Sequence, residues 1–301
     1  MISLIWVEWI AVLSGLLLGS FLNVCIARLP LHESIVMPGS HCPHCNTPIR
    51  WYDNIPVLSF LILRARCRDC AHSISWQYPL VELATGAWFL LPAHQIATAL
   101  NGTAPPAPAL CTAVATGVFG WLLIGLMLMD WTTLTLPDAF TLPGIAVGFL
   151  FLCLETIFLP NSANDIHLQS RLSGISSMPQ RGDVFLTGTE HLILGRLLAI
   201  LAAAGTLLLI RSLYKQLRKQ EGMGLGDAKL LAMVAAFLGW WPTVLTFFLG
   251  VLLCASYAIM LLSRGKADAA SRLPFGSFLA CGALIAASFG HAILRWYVSL
   301  F

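Results

Sequence analysis

Trp121-Leu122-Leu123-Ile124-Gly125-Leu126-Met127-Leu128-Met129-Asp130 closes an uninterrupted apolar run with a carboxylate. The run begins near residue 108, and 108–129 is 22 residues long, where a helix crossing a bilayer needs about 20. A helix apolar on every side belongs in a core or in lipid. The rest of the chain chooses lipid: hydrophobic residues make up 58%, charged residues 10%, and mean hydropathy is +0.81. A soluble domain would carry about 25% charged residues. The composition therefore predicts an all-α polytopic membrane protein and excludes a soluble globular enzyme.

Working outward, hydropathy predicts about eight spans, at roughly 3–27, 79–98, 108–129, 139–160, 191–212, 227–241, 243–263 and 275–297. The sixth is short and is expected to pair with the seventh through a turn at Trp240-Trp241-Pro242. The first span has no basic segment before it, and Arg28 follows it, so it reads as an anchor and not as a cleavable signal. Taken alternately, the loops place thirteen of the seventeen Lys and Arg residues on one side. The positive-inside bias makes that side cytoplasmic, with both termini outside. Asp130 and Asp227 then fall at the cytoplasmic ends of their spans. The same bias accounts for the net charge of +3, so no nucleic-acid partner is needed.

The expected organisation is a first helix at 1–27, a cytoplasmic lobe at 28–78, and a helical bundle at 79–301. A polar external insertion falls at about 160–190, and no internal repeat is evident. In the lobe, Cys42-Pro43-His44-Cys45 and Cys67-Arg68-Asp69-Cys70 form a CxxC–x21–CxxC pattern. Two such knuckles can close a tetrahedral S4 metal site, and four sulfur ligands leave no open position for catalysis. Structural zinc in a zinc-ribbon-like lobe is the expectation, with iron or a pair of redox dithiols as alternatives. His41, His44 and His72 read as neighbours of the site. The other five cysteines read as small core residues.

Two carboxylates stand at edges of apolar runs, Asp130 and Asp227. The second follows Gly222-Met223-Gly224-Leu225-Gly226 and precedes Ala228-Lys229. An ionisable group at such a depth defaults to function, while Asp also caps helices well, an explanation better suited to Asp138 after Pro137. Two carboxylates sharing a proton can hydrolyse a peptide: the ionised one activates water and the protonated one polarises the carbonyl. Gly222, Gly224 and Gly226 would let the backbone turn tightly and approach another chain. Lys229 reads as a counter-ion to Asp227 or as a membrane-side anchor. Glu82 reads as a helix cap or a cavity residue. Gly15 and Gly19 form a GxxxG pair suited to close helix packing, with a dimer as the weaker reading.

Further stretches join these in order: Gly19-Ser20-Phe21-Leu22-Asn23-Val24 before Arg28-Leu29-Pro30, Trp51-Tyr52-Asp53-Asn54-Ile55-Pro56, Tyr78-Pro79-Leu80-Val81-Glu82, Leu136-Pro137-Asp138 and Pro274-Phe275-Gly276. With them the chain resembles the bacterial type IV prepilin peptidases, GxGD-type membrane aspartic proteases that also serve type II secretion. The resemblance implies cleavage of a basic leader from type IV prepilins and pseudopilins, after glycine, at the cytoplasmic face. It also implies N-methylation of the new terminus by S-adenosylmethionine. It assigns catalysis to Asp130 and Asp227, since the family's first aspartate stands seven residues before the proline. Asn23, Arg28 and Glu82 are the positions expected to face substrate or S-adenosylmethionine. Two other classes compete: a proton-coupled transporter carrying protons on Asp130 and Asp227, and a zinc module that only binds partners.

Overall fold

The computed structural model describes residues 4–101, 106–158, 189–219, 224–265 and 273–300. Among them only helices and two isolated bridges occur. The expected external insertion at about 160–190 and Gly222 lie outside the described residues, apart from the insertion's last two positions. The chain divides into two compact units, Met1–Thr133 and Leu134–Phe301.

The first unit holds α1 (Leu4–Arg28), α2 (Leu58–Ile62), α3 (Gln77–Trp88), α4 (Leu90–Asn101) and α5 (Pro106–Thr133). The expected second span is divided between α3 and α4. Pro92 has no N–H to return to the Trp88 carbonyl, which interrupts the ladder at Phe89. Leu22, Val81, Phe119, Leu123, Leu126 and Met129 fill the interior. Trp121 donates its indole N–H to the Leu18 carbonyl at 3.0 Å, and Trp88 donates to that of Thr116 at 2.9 Å.

The GxxxG pair is occupied within the chain. A Cβ on Gly19 would lie 2.7 Å from the Glu82 Cα, and one on Gly15 would lie 2.9 Å from that of Gly86. Both neighbours are backbone, which cannot swing aside. Gly19→Val is therefore expected to cost about 1–3 kcal/mol through overpacking, read as a lower melting temperature of the detergent-solubilised protein. An unchanged melting temperature would show that α1 and α3 part freely.

The second unit holds α6 (Asp138–Phe158), α7 (Thr189–Arg218), α8 (Leu225–Leu238), α9 (Trp240–Ser263) and α10 (Phe275–Val298). The short α8 is the centre of this unit, with Leu230 through Ala236 all buried and α6, α7, α9 and α10 packed around it. Its 14 residues rise only about 21 Å. The turn into α9 falls at Gly239, whose φ is +82°, a left-handed conformation glycine adopts without penalty. The expected turn residues Trp240, Trp241 and Pro242 instead open α9. Proline fits a first helical turn, where its missing N–H has no partner to lose. The buried Arg196 guanidinium reaches the Ala236 carbonyl at 3.3 Å, so a cation covers the carbonyl end of α8.

Among the described residues, five helices are long and apolar enough to cross a membrane, and Phe275–Gly290 is a shorter apolar stretch. They correspond to α1, α5, α6, α7, α9 and α10. The two remaining expected spans fall on α3–α4 and on α8, which are shorter. Of the five cysteines expected in the core, Cys25 is fully enclosed and the other four are half-buried.

Candidate active site and metal centre

Asp130 lies in the last turn of α5, in the first unit, and is 5% exposed. Asp227 lies in the first turn of α8, in the second unit, and is 7% exposed. Asp227 is not the N-cap of its helix. Gly224 occupies that position, and the Asp227 carboxylate, three residues on, accepts the Gly224 backbone N–H at 3.2 Å. A negative charge there also suits the positive end of the α8 dipole.

Of the two described glycines just before Asp227, one acts by leaving space. Gly224 has φ −74° and ψ 152°, an extended conformation open to any residue, so no tight turn requires glycine there. Gly226 is different: a Cβ would lie 2.7 Å from the Leu136 Cβ. The absent side chain lets the start of α8 press against the strand of chain that precedes α6.

Lys229 is drawn elsewhere than expected. Its ammonium donates to the Asp138 carboxylate at 2.6 Å, joining the starts of α6 and α8. Asp138 is the first residue of its helix, and Pro137 stands in the cap position. The pair is partly exposed, so it contributes at most about 1 kcal/mol. Its role is registry between two helix starts.

Asn23, Arg28 and Glu82 sit close to the junction of α1, α3 and the lobe. Asn23 is buried and donates its amide to the Tyr78 carbonyl at 3.1 Å. That bond orients the side chain and leaves its Oδ1 without a partner among the described residues. Arg28 donates to the Ser34 carbonyl at 3.0 Å and to that of Gly39 at 3.2 Å. It also lines a cavity of about 260 Å³ with Ser20, Phe21, Val24 and Asn54; neither Asn23 nor Glu82 lines it.

Glu82 is a latch. It lies in the middle of α3, not at its cap, and accepts the Val57 N–H at 2.8 Å. Val57 has φ 62° and ψ −48°, and the Leu58 N–H bonds to the Pro56 carbonyl at 2.6 Å. This is a γ-turn of the strained hand, rare for any residue and more so for a β-branched one. Glu82→Ala is expected to leave Val57 N–H unpaired and to loosen the lobe by about 1–3 kcal/mol. Glu82→Gln keeps an acceptor and should lose less. Limited proteolysis within 28–78 reads the difference; equal protection in both variants would remove the latch.

The lobe carries the four cysteines as two matching halves. Cys42 N–H bonds to Thr47 O and Asn46 N–H to Cys42 O; Cys67 N–H bonds to His72 O and Ala71 N–H to Cys67 O. Each half is spanned by a bridge, His41 with Pro48 and Arg66 with Ser73. Asn46 and Ala71 are both left-handed, at φ 57° and 55°. The halves are offset by 25 residues throughout, a short structural repeat that the expectation of none did not foresee. His44 and His72 stack at 4.3 Å between them. The lobe is tied down by Asp53, which accepts from Arg68 Nε at 2.8 Å. The Arg68 guanidinium holds that carboxyl below the usual carboxylate range.

All four sulfurs lie within 4.8 Å of one another, so this cluster can hold a metal ion. The Thr47 hydroxyl, 2.8 Å from Cys45 Sγ, draws that thiol down to about 6. Cys70, despite a contact with the His72 backbone that works the other way, is pushed up to about 12 by desolvation and by its bonds to Cys45, Cys67 and Cys42. The first thiolate is favoured and the last opposed. A dication at the centre would let all four ionise together.

At the end of α2, Arg64 N–H bonds to Leu61 O and Ala65 N–H to Phe60 O. These nested bonds make a Schellman motif in which Arg64, at φ 51°, occupies the position glycine fills most easily. No signal in the sequence pointed to this turn, to the Glu82 latch, or to the Lys229–Asp138 pair.

Comparison with known proteins places the chain among enzymes. A model described as the bacterial Peptidase A24 N-terminal domain matches residues 13–96, and one described as the type IV leader peptidase family matches residues 182–259. A protein of Aeromonas hydrophila named prepilin leader peptidase/N-methyltransferase is 34% identical, with 96% of this chain and 93% of the relative covered. Relatives of the same name from Burkholderia pseudomallei (strain 1026b) and Klebsiella pneumoniae are 31% and 36% identical, covering 93% and 76% of this chain and 84% and 83% of their own lengths. No solved structure matches.

Proposed function

This chain belongs to the type IV leader peptidase family, and we propose that Asp130 and Asp227 are the carboxylates with which it cleaves the leader of type IV prepilins. The same chain N-methylates the residue that cleavage exposes. The reading is carried by the burial of both aspartates at ends of apolar helices, where an ionisable group is expensive unless used. One carboxylate takes a proton from the attacking water while the other, protonated, donates to the scissile carbonyl. Gly226 and Leu136 hold the start of α8 close to the chain before α6, and the Gly224 N–H fixes the position of the Asp227 carboxylate. The transporter reading and the binding-module reading receive no support, since the relatives are named as peptidases and methyltransferases.

Cleavage falls after glycine, in prepilins and in type II secretion pseudopilins. It takes place at the cytoplasmic face of the inner membrane, the side on which the basic residues collect. The metal is zinc, held by Cys42, Cys45, Cys67 and Cys70. Four sulfurs around zinc at 2.3 Å stand about 3.8 Å apart, and Cys42 and Cys70 are separated by 3.8 Å. The zinc is structural and organises the two knuckles. S-adenosylmethionine supplies the methyl group when bound. Arg28, with Ser20, Phe21 and Asn54, offers a cation, a hydroxyl, an amide and an aromatic face to such a zwitterion. Their cavity of about 260 Å³ lies below the usual range of about 300–1,000 Å³, so it takes part of the molecule. Asn23 and Glu82, which do not line the cavity, are bonded to the Tyr78 carbonyl and the Val57 N–H.

The test is to incubate reconstituted protein with a type IV prepilin and S-adenosylmethionine, reading the mass at the new N-terminus. Loss of the leader with one added methyl group is the expected result. Cleavage without the added mass withdraws the methyl-donor assignment, and an uncut prepilin withdraws the peptidase reading.

A further inference from the structure

The lobe carries an apolar face that no described residue of the first unit covers. Leu58, Leu61 and Ile62 share one side of α2 and are 55%, 62% and 72% exposed, while Ser59 and Phe60 turn inward. Trp76, 67% exposed, meets Phe60 edge-on with ring centroids 4.9 Å apart. From Trp76 the exposed face continues along α3 through Leu80 and Leu83, spaced four and three residues apart as one helix stripe requires. That stripe is an exposed apolar face on a helix of a chain rich in membrane-span helices, a surface suited to lipid. The Phe60–Trp76 contact joins α2 to it.

Charge marks the far edge. Arg64 and Arg66 are exposed just beyond Ile62 and have no ion-pair partner among the described residues, whereas the nearby Arg68 is held by Asp53. The Schellman turn brings Arg64 round directly after the helix, at a left-handed position that an arginine occupies at a penalty. Leucine and isoleucine beside tryptophan, followed by arginines, is the order of groups from acyl chain to phosphate in an interfacial segment.

We propose that α2 and Trp76 form an interfacial wedge: Leu58, Leu61 and Ile62 enter the headgroup layer of the leaflet the lobe faces, and Arg64 and Arg66 bind anionic lipid phosphates. The Glu82–Val57 bond sets the angle of the wedge by fixing α2 against α3. The wedge holds the lobe at the membrane surface, where it stays beside the ends of α1 and α3.

The experiment uses the full chain in nanodiscs of equal phosphatidylglycerol and phosphatidylcholine, without substrate. A benzophenone side chain is placed at Ile62 or, as a control on the polar knuckle, at Asp69. Irradiation is expected to give phospholipid-mass adducts at Ile62 and none at Asp69. Phosphatidylglycerol should be over-represented, and Arg64→Gln and Arg66→Gln should each lower its excess by up to about fivefold. Absence of lipid adducts at Ile62, or adducts to a second copy, overturns the wedge. So does a prepilin adduct that replaces the lipid one when prepilin is added. Leader cleavage measured on the same samples keeps the two readings apart: lipid adducts with no cleavage sink the peptidase assignment alone, and cleavage with no lipid adducts sinks the wedge alone.

Discussion

Asp227→Asn abolishes leader cleavage and leaves the protein folded: that is the expected result, with a rate loss of at least about 10²–10⁴-fold, the range general acid–base groups supply. Asparagine suits the test because its Oδ1 still accepts the Gly224 N–H that the carboxylate accepts at 3.2 Å. The cap of α8 survives, and the lost property is the ability to hold and release a proton. Asp130→Asn, in the last turn of α5, is expected to lose as much. Asp138→Asn is the discriminating control. It weakens a partly exposed pair with Lys229, so cleavage should fall little, by what at most about 1 kcal/mol of registry provides. Mass spectrometry of a prepilin after incubation reads all three, with circular dichroism to show retained helix. Loss of cleavage in Asp138→Asn with activity retained in Asp130→Asn would move the first catalytic role to Asp138.

Cys70→Ser removes one of four sulfurs from a cluster, spanning 4.8 Å, that can hold a metal ion, and it is expected to cost most of the grip such an ion would have on the lobe. Structural zinc sites contribute about 10–16 kcal/mol to the folding of their domains. The lobe has little else: two bridges, two single 3₁₀ turns and the five residues of α2. The expected results are one equivalent of zinc in the wild-type chain and none in the variant, with rapid proteolysis of the variant within residues 28–78. Acidification acts in the same direction, since protons compete with the metal for thiolate. Full zinc content in the variant would mean that the metal is held by other residues. Zinc-free but protease-resistant protein would mean that the Asp53–Arg68 bridge and the Glu82 latch suffice to fold the lobe.

The two expectations lean on different kinds of information. Membrane class, helix content and the four-cysteine cluster were legible in the sequence because each is a local pattern. Hydropathy is summed over neighbours, and the two residues between paired cysteines already bring both thiols to one point. The two aspartates stood out for the same reason, a charge at the edge of an apolar run. Even the GxxxG pair announced close packing, though it did not say against what.

Partners and boundaries are another matter. Lys229 lies two residues from Asp227 in the chain yet bonds to Asp138, 91 residues away. Glu82 turned out to hold a strained turn 25 residues earlier, and Gly226 is needed because Leu136 presses on it. The turn after α8 moved to Gly239, where the backbone is left-handed and Arg196 covers the helix end. By itself, then, the sequence determined which chemistries this protein carries: helices apolar enough for a membrane, a four-sulfur cluster able to hold a metal and two costly carboxylates. Only the tertiary structure decided which group answers which. Hydrogen bonds and ion pairs act over about 3 Å, and which atoms come that close depends on how distant helices pack, a property no local window of sequence contains.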